Sequence, residues 1–432
     1  MRRIAVVTLL LALPVSLAAQ LPDPSIRSLG MGGAQTASAR GWEAVGHNPA
    51  LLASSGQPGW SLGLPRAHTE FGSNAWGWSD VRRYAGQHLD NADKQELLDQ
   101  IDSTLDTRSQ IGVTAFGLQI GPFGFGIGTA GDVRANVGKD AAELFLFGNA
   151  HRSTPFTFPG SRADGWAATT AALSYALSFG RISAGVTVKK VWGHGLGTGR
   201  ELSSNLQSQP TFDARLIGHA VYTDYPDGYE FSGSIFSSES SPGSGYGVDV
   251  GGVWELSGIT VAATLVNALA NMDWDQSRLT YELADYQVTQ DASGSTFDTL
   301  ITVELHGSQI DTVPVAAALR DSLLARSDFS KVLRGGAAFN LGDLRLAADL
   351  QIRLTDGVDR LPSQQVAVGA ELMVLGFLPL RAGFGTDFSE SVTLSGGTGL
   401  HFGPVKIDVG ASSTSGDKRN GVRVGAGLGL VF

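Results

Sequence analysis

The residue types that most often carry out chemistry are not arranged in a catalytic motif in this chain. Its eight histidines include no HExxH sequence, and the absence of cysteine removes the thiolate ligands that many zinc sites use. No G-x-S-x-G sequence marks a nucleophile, and the glycine-rich stretch 193–199 lacks the Lys-Ser/Thr ending of a phosphate-binding loop. We therefore expect no enzymatic activity and no cofactor.

One acidic loop could hold a metal ion. Asp213, Asp224, Asp227 and Glu230 lie close together in the sequence. Carboxylate oxygens are the ligands that Ca²⁺ prefers, so a calcium site is one interpretation of this loop. The other interpretation is a solvated acidic surface, which runs of charge usually form, and we favour it.

A further set of charged residues alternates with apolar ones. Between Leu344 and Leu354, the apolar residues share one face, while Arg345, Asp349 and Arg353 share the other. A period of two is typical of a strand whose two faces meet different surroundings. The charged residues predicted to share one surface in this way are Lys189, Asp249, Arg345, Asp349, Arg353, Glu371, Arg381, Lys406, Asp408 and Arg423.

Strand-like segments fill the chain from Trp60 onwards and come in pairs joined by tight turns, for example at Gly121-Pro122 and Gly342-Asp343. Including one segment near 60–78, the pattern gives about 14 strands, each of about 9–11 residues, the length of a tilted membrane strand. Short turns alternate with long connections at 79–109, 131–166, 193–245 and 269–330. The first of these contains a predicted short amphipathic helix near Asp93–Ile101.

This pattern favours an all-β transmembrane antiparallel barrel over a soluble sandwich, which would place the apolar faces inside. An even strand number, with short turns at the periplasmic end and long loops outside, is the arrangement of outer-membrane barrels. In such a barrel the apolar faces meet lipid, and the charged faces line the lumen. Residues 59–432 are therefore assigned to the barrel, and the terminal Phe432 is our candidate signal for insertion into the membrane.

The first 19 residues have the pattern of a secretory signal peptide. Arg2 and Arg3 precede an apolar run from Ile4 to Leu13, and small residues follow at Ala18 and Ala19. Cleavage there would lower the formal net charge from −10 to −12, which argues against nucleic acid as a partner. No other stretch approaches the apolar length of a membrane helix. Export to the outer membrane of a Gram-negative-type bacterium is the predicted localisation.

Residues 20–58 differ from the strands because small residues dominate them. They are too poor in large apolar residues to form a core, so we expect a plug, or hatch, packed inside the barrel. Asn48 and Pro49 form a turn in which Asn48 acts as a cap and Pro49 fixes the next dihedral, although a functional role in the plug is an alternative. Arg345, Asp349 and Arg353 either hold the plug or line a path, and we favour plug-holding because buried charges need partners. The candidate plug motif consists of Gly30, Gly32, Gly33, Asn48, Pro49 and Ala50.

Several of these stretches resemble a known group of membrane proteins. The sequences Ser28–Ala34 and His47–Leu52 resemble the N-terminal signature of FadL/PorV-type outer-membrane proteins. The sequences at 145–149, 165–168 and 173–176 are similar to a branch of unknown function, DUF5723. The resemblance implies a 14-stranded barrel with its N-terminal residues folded into the lumen.

The resemblance also implies two different functions. FadL-like members take up long-chain fatty acids or other hydrophobic molecules, which would make this chain a passive transporter gated by its plug. PorV-like relatives serve protein secretion, so a binding or assembly protein, or a structural protein without transport, is the alternative. The expected partners are outer-membrane lipid, the barrel-assembly machinery and a hydrophobic small-molecule ligand, with no nucleic acid.

Overall fold

The computed structural model describes residues 25–148, 152, 154–208, 212–223, 241–291, 294–359, 361–388, 391–416 and 419–432. The predicted signal peptide, 1–19, lies outside the described residues. Seventeen strands in the described part join one antiparallel sheet. Fourteen of them pair in a closed ring, which confirms the predicted barrel and its strand number.

The ring contains β1 (Trp60–Ser73), β2 (Thr104–Ile120), β3 (Phe123–Gly138), β4 (Arg162–Phe179), β5 (Ile182–Ser208), β7 (Gly243–Leu256), β8 (Ile259–Trp274), β11 (Val332–Leu341), β12 (Leu344–Arg353), β13 (Gln364–Val374), β14 (Leu378–Thr386), β15 (Ser391–Phe402), β16 (Val405–Gly416) and β17 (Asn420–Val431). Every second pair of neighbours, from β2 and β3 to β15 and β16, is joined by a short turn, and these turns lie at one end of the ring. The ring closes where β17 pairs with β1 over almost the whole of both strands.

Three more strands stand outside the ring. They are β6 (Phe212–Thr223), β9 (Leu279–Asp291) and β10 (Gly294–His306). The outer part of β5 pairs with β6, β6 with β9, and β9 with β10, so the barrel wall continues into a projecting sheet. The sequence pattern did not predict these strands, because beyond the membrane no face meets lipid and the apolar alternation is lost.

The outer surface of the ring is apolar. Large side chains such as Leu173, Leu346, Leu350, Phe384 and Ile407 point away from the lumen and are exposed. The charged residues of the same strands point inwards, so the predicted lipid face and lumen face are both present. Among the described residues, no helix has the length and apolar character to cross a membrane.

Six short α-helices complete the structure in the described ranges. They are α1 (Ile26–Gly30), α2 (Ala44–His47), α3 (Trp78–Tyr84), α4 (Asn91–Asp99), α5 (Lys139–Phe147) and α6 (Pro314–Leu324). Single 3₁₀ turns are formed by Gly41–Glu43, Pro49–Ala53, Gln276–Arg278 and Gly307–Thr312. Helix α4 lies where the amphipathic helix was expected, whereas α5 and α6 were not foreseen.

The outer helices pack on two apolar clusters. Leu97 and Leu98 of α4 meet Ala142 and Leu146 of α5 above the ends of β2 and β3. On the other side, α6 packs on the projecting sheet in a cluster whose buried members include Trp166, Val221, Tyr281, Leu319, Leu323 and Phe329. The long outer connections therefore have cores of their own.

Two strand boundaries differ from those expected. The first strand ends at Ser73 rather than near Trp78, because Asp80 accepts a hydrogen bond from the Gly77 backbone N–H and starts α3. Strands also extend into the predicted loops 131–166 and 193–245, since β3 continues to Gly138 and β5 to Ser208. These extensions carry polar side chains, which is why they looked like loops in the sequence.

Candidate functional site

Residues 25–58, which we call the hatch, lie inside the ring. Helix α1 packs against β14 to β17, and the 3₁₀ turn Pro49–Ala53 packs against β4, β5 and β7 on the opposite wall. The hatch therefore bridges the lumen. It leaves the barrel at the rim of short turns, where Gly59 donates its N–H to the carbonyl of Phe432 at 3.1 Å.

Glycines on the inner wall form the seat of the Asn48-Pro49-Ala50 motif. Gly185 of β5 and Gly251 of β7 are directly paired across the two strands. A Cβ atom on Gly185 would lie 2.5 Å from the Ala50 nitrogen, and one on Gly251 would overlap the Asn48 side chain. Only residues without a side chain allow the hatch backbone to approach this closely.

Asn48 joins the hatch to itself and to the wall. Its Oδ1 accepts a hydrogen bond from the Ala50 N–H at 3.0 Å and thereby caps the 3₁₀ turn that Pro49 begins. Its Nδ2 lies 3.3 Å from the carbonyls of Gly252 and Ala263. Asn48 is fully buried, so its amide has exchanged water for these partners.

The glycines of the other half of the motif make a similar contact on the opposite wall. A Cβ on Gly30 would lie 3.1 Å from the Cα of Gly397. Gly32 has a φ of +70°, which favours glycine, and its backbone lies against Gly383 and Phe384. Gly33 is exposed to the water-filled lumen above the hatch.

A buried ionic network ties the hatch to the wall. Arg27 donates through Nε to Glu371 Oε2 at 2.7 Å, and Arg381 Nε contacts the same oxygen at 2.8 Å. Arg381 Nη1 continues to Asp408 at 2.6 Å, and Arg345 lies 3.6 Å from Glu371. The side chains of Arg27, Glu371 and Arg381 are at most 10% exposed, so this network is shielded from water.

Asp349 holds the hatch through its backbone. Its Oδ2 accepts the N–H groups of Gln35 and Thr36 at 2.8 and 2.7 Å. Arg353 instead binds outside the hatch, where it pairs with Asp356 at 2.9 Å and donates to the carbonyl of Leu361. The role of Arg353 predicted from the sequence, in holding the plug, is therefore not supported by these contacts.

Two predicted residues lie at the rim of short turns. Lys406 donates to the carbonyl of Gly403 at 3.2 Å. The ring of Phe432 stacks on that of Trp60, with centroids 3.9 Å apart and planes 10° from parallel. The last residue thus covers the start of β1 and completes the seam between the first and last strands.

The acidic loop proposed for calcium is only partly described. The backbone of Asp213 lies in β6, paired with Gln207 and Thr289, whereas Asp224, Asp227 and Glu230 lie outside the described residues. In the ranges that the structure covers, no three histidine or carboxylate side chains are grouped to hold a metal ion.

Above the hatch the lumen contains two water-accessible chambers. The inner chamber has a volume of about 210 Å³, and its floor is formed by hatch residues that include Gly33, Thr36 and His47. The outer chamber, of about 430 Å³, is bounded by the outer ends of β1 to β4. Both chambers touch Glu70, Arg108, Asp387 and Arg419, whereas Arg134 lines only the outer chamber and Arg423 only the inner one.

Four arginines near this shared boundary form a layer that we call the arginine tier: Arg108, Arg134, Arg419 and Arg423. Arg108 and Arg134 each contact Asp132 through Nε, at 2.6 and 2.7 Å. Arg423 Nε lies 2.9 Å from Glu70, and Arg419 lies 3.5 Å from it. Of the tier, only Arg423 was predicted as a lumen residue.

Two other members of the tier, Arg108 and Arg134, could have been found from the same alternation. Arg108 and Gln110 on β2, and Asp132 and Arg134 on β3, are spaced two apart like the predicted lumen residues. They were missed because the surrounding positions are polar, so the segments were read as loops.

An outer loop, 355–363, folds inwards over the inner chamber. The backbone carbonyl of Asp359 accepts a hydrogen bond from Arg134 Nη2 at 3.1 Å. The Asp359 carboxylate accepts the Ser330 hydroxyl, is 3% exposed, and has a pKa raised by burial. This loop and the tier together separate the two chambers.

A closed 14-strand ring with an apolar outer face, a polar lumen and an internal N-terminal segment defines a transmembrane β-barrel with a hatch. The model of the family of unknown function DUF5723 matches residues 49–315, more than half of the chain. The chain belongs to this family, as its sequence motifs suggested. No curated protein sequence matches it significantly.

Solved structures similar to this chain include two toluene transporters and a FadL homologue. The toluene transporter TbuX of Ralstonia pickettii is 14% identical, with 94% of this chain and 98% of that chain covered and a TM-score of 0.44. The P. putida toluene transporter TodX is 12% identical, with 94% and 98% covered and a TM-score of 0.48. A FadL homologue of Pseudomonas aeruginosa is 11% identical, with 97% and 99% covered and a TM-score of 0.44.

Proposed function

We propose that the protein is a passive outer-membrane transporter rather than an enzyme. A small solute enters the outer chamber, passes the arginine tier into the inner chamber, and reaches the periplasm when the hatch rearranges. The single observation that carries this proposal is the inner chamber, which has the hatch as its floor. Export and outer-membrane localisation are part of the same proposal.

The contacts of the hatch favour a local rearrangement over its complete release. Release would leave Glu371 and Arg381 buried without Arg27, and uncompensated buried charges are costly. The floor near Gly33 is open to the chamber and has no wall atom within 4 Å of the position of a Cβ. We propose that movement begins there, between the contacts at Gly32 and Asp349, and continues through the segment that contains Trp42 and leads to the rim at Gly59.

The side chains that line the inner chamber indicate which kind of solute it could hold. A hydrophobic cargo, as the family resemblance implies, remains a prediction. Hydroxyl, amide and charged side chains line the inner chamber, and they favour a polar solute because apolar surface would gain little from leaving water there. Polar members of this lining include Gln110, Arg334, Gln351, Gln365, Thr393 and Thr414.

A reversible lock on the hatch tests the proposal. A Cβ on Gly117 of β2 would lie 3.3 Å from the Cβ of Trp42 in the hatch, close to the 3.5–4.5 Å typical of disulfides. In proteoliposome swelling assays, the W42C/G117C variant should pass small solutes more slowly when oxidised and recover on reduction. The single variant G117C is the control, because the chain has no other cysteine.

Removal of the hatch provides the opposite test. A barrel without residues 25–58 should leak small solutes faster than the full chain. Equal rates for the full chain, the locked variant and the deletion would show that the hatch does not control passage.

One observation favours a second function, that of a binding protein for a secreted partner. The projecting sheet has its own apolar core, and in the described part of the chain β10 pairs only with β9. Unpaired strand edges can accept another strand. If this is the function, affinity purification from outer membranes should yield a stoichiometric protein partner that is lost from an I301R variant, while solute flux stays unchanged.

A further inference from the structure

We propose that the arginine tier is a binding site for the oxyanion group, carboxylate or phosphate, of a small solute. The role of this site in transport rests on the proposed function, whereas binding itself does not require passage through the hatch. The proposal assigns the cargo to the class of small organic or inorganic anions.

The carboxylates that pair with the arginine tier are more buried than the arginines themselves. The carboxylates of Glu70, Asp132 and Asp387 are 8%, 2% and 8% exposed. The guanidinium side chains that cover them are more exposed, 16% for Arg108, 21% for Arg134, 34% for Arg419 and 31% for Arg423. The acids therefore lie in the wall, and the arginines lie between the acids and the water of the lumen.

The ion pairs of the tier differ in the distance between their charged groups. Arg423 and Glu70, and Arg108 and Asp132, are in direct hydrogen-bond contact. Arg419 is held less closely, at 3.5 Å from Glu70 and 3.7 Å from Asp387. It is also the most exposed of the four, so its guanidinium is the best placed to meet a solute.

The four arginines of the tier pair with three carboxylates, and the guanidinium groups are the more exposed members of these pairs. A purely structural cluster would need no chamber on either side. Guanidinium groups match carboxylate and phosphate oxygens with two parallel hydrogen bonds. Rings of arginine and lysine are also what anion-selective and phosphate-selective pores use.

The arginine tier lies where a solute would pass between the two chambers. Arg108 and Arg419 line both chambers, so a solute moving from one to the other meets them. The inner chamber, at about 210 Å³, is smaller than the roughly 300–1,000 Å³ of drug-sized ligand sites. The site therefore fits a small anion rather than a lipid or a peptide.

Calorimetric titration of the full chain in detergent tests the proposal with inorganic phosphate and succinate as probes, and choline as the cationic comparison. Both anions should bind, with an affinity that falls as sodium chloride is raised, because salt screens exposed charges. Loss of one charge-assisted contact in R419Q should weaken binding by about tenfold. The control R83Q removes a more exposed arginine from α3, outside the chambers, and should bind like the unaltered chain.

A second variant should act in the opposite direction. E70Q removes a buried carboxylate that neutralises part of the tier, so anion binding should become tighter. A cluster with a structural role only would show loss of stability in both R419Q and E70Q, without opposite effects on binding.

Opposite changes in R419Q and E70Q, with folded barrels in both, support the proposal. Absence of anion binding by the full chain at millimolar concentration, or equal binding of choline, overturns it. The titration measures binding and not flux, so its outcome does not depend on the result of the hatch-lock experiment. If the hatch proved not to control passage, the anion-binding results would still stand.

Discussion

Glu371 is the residue on which the attachment of the hatch depends most. It accepts hydrogen bonds from Arg27 of the hatch and Arg381 of the wall, and it lies near Arg345. Removing the shared carboxylate leaves Arg381 with Asp408 and Arg27 with the Ser38 carbonyl, so the buried guanidinium groups lose the one carboxylate that joins them. We expect E371Q to lower the free energy of unfolding by about 3–5 kcal/mol, as for other broken buried pairs.

Unfolding in urea, followed by the loss of β-sheet signal, measures this change. The matched control is E96Q, which breaks an exposed pair with Arg83 on the outer surface and should change stability little. Equal stability of E371Q and E96Q would show that the network does not hold the hatch.

Asp359 gives the stability of the inward loop a pH dependence. Burial raises the pKa of this carboxyl, so folding favours its protonated form. Its contribution to stability is therefore present at acid pH and is lost as the pH rises through the raised pKa. D359N should be more stable than the unaltered chain at neutral pH, with a gain that shrinks towards acid pH, in urea titrations at several pH values.

D356N serves as the comparison in the same loop, since the Asp356 carboxylate is 82% exposed. A gain in D359N that is independent of pH would contradict the titration of Asp359 and indicate a change in packing instead.

For individual residues, the alternation in the sequence predicted many of the charged side chains that point inwards, but it did not predict their partners. Arg345, Asp349, Glu371, Arg381 and Asp408 all lie in the networks described above. The partners Arg27, Gln35 and Thr36 could not be inferred, because no local pattern in residues 25–58 specifies which wall strand they face. The same limit explains why Arg353 was assigned to the plug rather than to the outer loop.

Some glycines of the ring lie where the hatch approaches the wall, among them Gly185, Gly251 and Gly383. Gly185 faces the hatch, whereas on the neighbouring strand Gly252 has no atom within 4 Å of the position of a Cβ. We expect G185A to force the Pro49–Ala50 backbone from its seat at a cost of about 1–3 kcal/mol, typical of overpacking. Limited trypsin digestion should then cleave faster after the exposed Arg40 of the hatch.

G252A, a substitution of the same kind, should leave this cleavage rate unchanged. Equally faster cleavage after Arg40 in G185A and G252A would contradict this prediction. It would mean that each substitution loosens the barrel as a whole rather than releasing the hatch.

Most membrane strands could be predicted from the sequence, but the outer elements could not. Lipid on one side imposes alternation on β12 and β17, whereas β6, β9 and β10 meet water and one another. The frequent glycines were visible as well, yet they were attributed to curvature. The role of those that contact the hatch depends on its backbone, which lies far from them in the sequence.

The whole molecule has a defined orientation, which epitope insertion can check. The turn at Gly342-Asp343 joins β11 to β12 at the end where Phe432 lies, and Asp311 lies in the outer layer beside α6. An epitope inserted after Asp311 should be accessible to antibody on intact cells. One inserted after Gly342 should become accessible only when the outer membrane is permeabilised.

The reverse pattern would contradict the assigned direction of the barrel, and with it the outward position of both chambers. Accessibility of both epitopes on intact cells would indicate damaged membranes, so a periplasmic marker protein serves as the control.

The seam between β1 and β17 has a consequence for the order of assembly. The hatch precedes β1 in the chain, yet it packs against β5 and β7 on one side and β14 to β17 on the other. The contacts with both walls can be complete only when pairing of β1 with β17 has brought the two walls together. We therefore expect seating of the hatch and closure of the ring to stabilise each other during assembly. A barrel that lacks the hatch should then close its β1–β17 seam more slowly than the full chain.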